Sequence, residues 1–125
     1  ATTGECVVAV KQKFANDPIW NDFEAVTLQL EQALRANDRE TFQRMVAENQ
    51  RLLDRIGVVP EKVRRFVAEI EARDGAAKVC GAGSVLGDNG GMVLVLAEKP
   101  PVDLCKQYGY ELITVRGDPL GARIV

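Results

Sequence analysis

Apolar residues recur at three- and four-residue steps through the first 74 positions, then give way to short continuous runs. The first spacing is that of helices with one buried face, the second that of strands. Thr2-x-x-Glu5 is a capping-box pattern, and it predicts a helix carrying Cys6, Val7, Val10 and Phe14 inward. Asn16-Asp17-Pro18 interrupts the periodicity, and Pro18 suits the first turn of a second helix. That helix presents Ile19, Phe23, Val26, Leu30 and Leu34 on one side. Asn37 and Asp38 end it and cap a third, whose stripe is Phe42, Met45, Val46, Leu52, Leu53 and Ile56. Gly57 stops the third helix, and Pro60 starts a fourth with Val63, Phe66, Val67 and Ile70, ending near Asp74-Gly75. All four stripes read as core packing rather than as ligand contacts.

Beyond Gly75 the pattern predicts strands near 77–80, 91–97, 111–115 and 121–125. A short helix from Pro101 to about Tyr108 interrupts them, with Gly109 as its stop. Met92-Val-Leu-Val-Leu-Ala97 is apolar throughout, which predicts a central strand. The elements satisfy an α+β sandwich of ferredoxin-like type: a four-stranded, mainly antiparallel sheet covered by helices. Residues 1–125 form one domain, a helical half over 1–74 and a β-rich half over 75–125.

Composition narrows the chemistry. With 16 basic and 18 acidic residues the charge is nearly balanced, so no basic footprint points to nucleic acid. No apolar run approaches the ~18 residues of a membrane span, and no signal-peptide pattern is present. Cys6, Cys80 and Cys105 are odd in number and lack CxxC spacing, as expected of reduced thiols in a cytoplasmic protein. The chain has no histidine, which removes Ser-His and Cys-His nucleophiles and the commonest metal ligand. It opens on Ala1-Thr2-Thr3 without methionine, as a piece of a longer protein would.

One stretch stands apart from the packing pattern. Lys78-Val-Cys-Gly-Ala-Gly-Ser-Val-Leu-Gly-Asp-Asn-Gly-Gly91 places five glycines between positions 81 and 91, directly after a β-type segment. Such a loop can turn successive N–H groups one way and form an anion nest. It is not a P-loop, because no Gly-Lys-Ser/Thr closes it and no helix follows. It is not a dinucleotide fingerprint either, since Leu86 stands where a third glycine is needed. The plain alternative is a hairpin connection between two strands. A phosphate held here depends on backbone N–H groups, with Lys78 the nearest cation, so the loop alone is half a site. For Lys78 the bland alternative is a solvated strand residue whose stem covers apolar surface.

Two further segments carry a family resemblance. Glu48-Asn49-Gln50-Arg51-Leu52-Leu53-x-x-Ile56-Gly57-Val58, then Pro60, then Gly75-Ala-Ala-Lys-Val-Cys-Gly-Ala-Gly83, resembles the C-terminal half of GHMP-type small-molecule kinases. Within that superfamily the pattern is most similar to mevalonate kinases. Thr2 to Val7 resembles the helix that opens this half, and Gly121-Ala-Arg-Ile-Val125 its closing strand.

The resemblance implies ATP- and Mg²⁺-dependent phosphoryl transfer to a small alcohol, with mevalonate first among the acceptors. It places the catalytic Asp, the activating Lys and the main ATP and Mg²⁺ contacts in an N-terminal lobe outside these 125 residues. No catalytic or metal-binding residue is therefore expected in this segment. The segment's share would be Gly81, Ala82, Gly83 and Ser84, supporting the phosphate loop on the ATP side. Thr3 matches the residue that lines the acceptor pocket, and Lys78 is the second substrate-side candidate. For Thr2 and Thr3 the bland alternative is helix capping. Val85 and Leu86 depart from the family pattern, which continues with glycines. The expected partners are the chain's own N-terminal lobe and the alcohol, with a homodimer left open, and neither nucleic acid nor membrane. The competing function class is a free-standing, non-catalytic α+β binding or regulatory module.

Overall fold

A computed structural model of the chain describes residues 3–80 and 92–114. Four helices come first: α1 (Thr3–Phe14), α2 (Ile19–Arg35), α3 (Arg39–Arg55) and α4 (Glu61–Ala72). Strands β1 (Ala76–Cys80) and β2 (Met92–Leu96) follow, and then α5 (Val102–Tyr108). The α+β class holds, with an antiparallel pair as the sheet among the described residues.

The helix boundaries follow from local chemistry. Asp17 Oδ1 accepts the Ile19 N–H at 2.8 Å at the start of α2. Asp38 Oδ1 accepts the Thr41 N–H at 3.1 Å and opens α3. Asn37, Gly57, Asp74 and Gly109 all adopt positive φ just after helices α2, α3, α4 and α5. In each case the next residue's N–H reaches back to the final turn: Asp38 to Ala33, Val58 to Leu53, Gly75 to Ile70 and Tyr110 to Cys105. This is the Schellman closure, which satisfies carbonyls that a helix end would otherwise strand.

The core gathers Ile19, Val46, Phe66, Ile70, Val79 and Leu104, each at most 2 % exposed. Burying one such side chain contributes about 1.5–3 kcal/mol. Helices α3 and α4 pack on β1, and α2 packs on α3. Edge-to-face rings of Phe66 with Tyr108 and Tyr110, 5.4 and 5.0 Å between centroids, tie α4 to the end of α5. Across the helix surfaces, Arg64 pairs with Asp54 at 2.6 Å and Arg73 with Asp103 at 3.2 Å.

Four sequence expectations require correction. Val7 is 57 % exposed, because Cys6 takes the inward position and Val7 lies about 100° round the helix from it. Leu34 is 65 % exposed while Ala33 is buried. The inward stripe of α2 alternates four- and three-residue steps through 19, 23, 26, 30 and 33, and a second step of four carries Leu34 off it. Residues 111–114 of the strand expected at 111–115 form no strand. Tyr110 anchors this segment to Phe66 of α4 instead, and Ile113 stays exposed. Finally, β2 is not buried along its length, although its run is apolar throughout. Its register with β1 pairs Ala77 with Val95 and Val79 with Val93 on the helix-covered face. Lys78, Cys80, Met92 and Leu94 share the other face, where Met92 is 69 % exposed. The strand expected at 121–125 lies outside the described residues.

Candidate functional site

β1 delivers the chain to the glycine-rich stretch, so the site is built outward from that strand. Ala77 and Val79 point into the helices, and alternation turns Lys78 and Cys80 to the opposite face. Lys78 is half-buried, and its Nζ donates to the Val79 carbonyl at 2.9 Å. Thr3 is the first residue of α1. Gly81, Ala82, Gly83 and Ser84 lie outside the described residues. Lys78 therefore sits three residues before Gly81, on the face of β1 opposite Ala77 and Val79.

A contact that the periodicity argument passed over holds the end of this strand. Gln50, in the middle of α3, is 5 % exposed, and its Oε1 accepts the Val79 N–H at 2.8 Å. The sequence carried a signal for it. Val46, Gln50 and Leu53 stand at four- and three-residue spacing on the inward side of α3, and a glutamine on an apolar stripe needs a buried partner.

Two clefts stand out among the described residues, and Lys78 lines neither. The larger, about 1000 Å³, lies between the first turns of α3, the end of α4 and residues 97–103. Its floor is Ile70, Ala76 and Pro101, and its rim carries charges of both signs, including Arg39, Arg44, Glu98 and Lys99. Ala76 borders this cleft while Cys80 leads to the loop, so the two lie about 14 Å apart along the strand. The smaller, about 560 Å³, is apolar and lies between α1, Trp20 and the end of α3.

The electrostatics near the large cleft are set by local pairing. The Arg73 guanidinium donates to both carboxylate oxygens of Asp103, each at 3.2 Å. That pairing, with the Leu104 N–H, holds Asp103 below the usual carboxylate range. Burial pushes the Cys105 thiol up. Among the described residues, no three acidic or cysteine side chains converge where a metal ion could be held. No described helix is long and apolar enough to cross a membrane.

Comparison with known proteins adds a family. No curated protein and no solved structure matches the chain. The family described as GHMP kinases C terminal matches residues 30–108. That span runs from the second half of α2 to the end of α5 and takes in Gln50, Lys78 and Gly81 to Ser84. With most of its length matched, from the helices that build the core to the strand pair that carries the glycine stretch, this chain belongs to the C-terminal domain family of the GHMP kinases.

Proposed function

We propose that this chain is the C-terminal lobe of an ATP-dependent kinase that phosphorylates a small alcohol, with mevalonate as the first acceptor to test. The observation that supports this most directly is the family match across residues 30–108, which includes the loop-bearing strand pair. In this reaction the alcohol oxygen bonds to the γ-phosphorus of ATP, ADP leaves, and the hydroxyl proton passes to a base. The base, the activating Lys and the principal ATP and Mg²⁺ contacts are assigned to a preceding N-terminal lobe. Mg²⁺ neutralises phosphate charge when bound, and the described residues of this chain supply no cage for it.

What this lobe would contribute is positioning. Gly81 to Ser84 are assigned to the phosphate side, and Lys78 of β1 and Thr3 at the start of α1 to the acceptor side. A cytoplasmic setting accords with three cysteines that form no disulfide.

A coupled ADP-release assay on the full-length protein, with ATP, Mg²⁺ and a panel of small alcohols, tests this function. Turnover with one alcohol, mevalonate first, is the expected result. No turnover with any alcohol sinks it in favour of a binding module. Calorimetry of the 125-residue chain alone should show no heat with ATP. Micromolar binding would mean that the loop is a complete site by itself.

A further inference from the structure

The guanidinium groups of this chain are almost all spoken for. Eight arginines lie among the described residues, and six of them, Arg35, Arg51, Arg55, Arg64, Arg65 and Arg73, have a carboxylate oxygen between 2.6 and 3.9 Å away. Arg39 and Arg44 have none among the described residues, and both line the large cleft beside α3. Arg44 Nη2 meets the Thr41 hydroxyl at 3.5 Å, while the Asp38 carboxylate is taken up by the Thr41 N–H and hydroxyl. Lys99, from the segment after β2, lines the same cleft and is in no ion pair among the described residues.

The walls of this cleft are fastened to one another. Gln43 Nε2 donates to the Asp74 carbonyl at 2.8 Å and ties α3 to the end of α4. Arg73 grips both oxygens of Asp103 at 3.2 Å and ties the end of α4 to α5. All four residues line the cleft, and Ile70 and Ala76, each 1 % exposed, belong to its apolar floor. A pocket formed in advance loses little freedom when a ligand arrives, and about 1000 Å³ is ample for a small molecule. The rim also carries Glu40 and Glu98. Carboxylates outside any ion pair stand elsewhere among the described residues, Glu24 and Glu111 for example, so these two mark nothing by themselves. They do lower the field at the rim, so a bare anion should bind weakly and the floor must add to it.

We infer that this cleft binds a small organic phosphate with a compact apolar body. Arg39, Arg44 and Lys99 take the phosphate oxygens, two planar guanidinium forks and one ammonium supplying the donors that such a head group requires. The apolar body rests on Ile70, Ala76 and Pro101, where it leaves water. None of these residues carries a part in the kinase role proposed above, and the assignment does not rest on that role.

Titration of the full-length protein with phenyl phosphate at low salt, followed by amide chemical shifts, tests this. The Ala76 and Ala97 amides should move, with a Kd below about 1 mM. Inorganic phosphate and benzoate, which each keep only half of the ligand, should bind at least about fivefold more weakly. Arg39→Gln and Arg44→Gln should each weaken phenyl phosphate about five- to tenfold. Arg65→Gln, at an exposed arginine paired with Glu61 at 3.6 Å, should leave it within about twofold. Arg39 and Arg44 are exposed, so both variants should fold; if either does not, Lys99→Gln carries the same comparison. No shift at Ala76 and Ala97 up to about 10 mM phenyl phosphate, or shifts only at residues outside the cleft, would overturn the assignment. Inorganic phosphate binding as tightly as phenyl phosphate would overturn it too, because the floor would then contribute nothing. An equal loss in Arg65→Gln would reduce the effect to diffuse surface charge and overturn it as well.

Discussion

Replacing Gly75 by alanine tests how tightly the helical half is joined to the sheet. Gly75 follows the positive-φ residue Asp74, and its N–H closes α4 on the Ile70 carbonyl at 3.0 Å. A Cβ at this position would stand 2.9 Å from the Leu96 carbonyl oxygen and 2.9 Å from the Ile70 Cγ2 methyl. Ordinary contact begins at 3.4 Å, so relief requires roughly 0.5 Å of movement by each of these neighbours. Neither neighbour yields easily: the oxygen belongs to β2 opposite Ala76, and the Ile70 side chain is 1 % exposed. Forcing a methyl into a packed site costs about 1–3 kcal/mol. Taking ~2 kcal/mol, the melting temperature of a domain this size falls by about 8 °C. Thermal unfolding followed by circular dichroism reads this directly. Gly57→Ala is the control, because nothing lies within 4 Å of its Cβ and its φ of +81° makes the cost one of backbone strain alone. A Gly75→Ala protein that melts within about 1 °C of wild type would refute the packing argument, since even the low end of the overpacking range predicts more.

Three further outcomes are expected. Asp38→Ala removes the acceptor for both the Thr41 N–H and its hydroxyl, and should lower the urea midpoint of unfolding, with Asp38→Asn losing less. Asp103 is held below the usual 3.8 by Arg73, so the stability this pair contributes is complete above that value and disappears as pH falls through the lowered folded value. Melting curves of wild type and Asp103→Asn should therefore differ at neutral pH and converge under acid; a constant gap would contradict the pairing. Among the thiols, half-buried Cys80 should react first with an aromatic disulfide reagent in the native chain, ahead of buried Cys6 and of Cys105, whose thiol burial also pushes up. Equal rates for all three would mean that the core opens faster than the reagent reacts.

The positions where helices stop were legible in the residues themselves. Asn37, Gly57, Asp74 and Gly109 are residue types that tolerate positive φ, and each closes a helix as its type predicts. The caps, the buried faces of α3 and α4, and the α+β class are local or periodic properties, so the chain carries them without reference to distant partners. Contacts decided the rest. Whether Ala33 or Leu34 faces inward depends on which step the stripe takes beside α3. Residues 111–114 have strand-forming composition, yet Tyr110 meets an aromatic partner on α4 first. On the site side, the Lys78 to Ser84 stretch was visible as a motif, and it falls within the family match. Gln50 was visible only as a polar residue on an apolar stripe. That its partner is the Val79 N–H, 29 residues on, is a fact of tertiary packing. A backbone donor has no side-chain identity for a sequence to display, so only the fold could show which one a buried amide would satisfy.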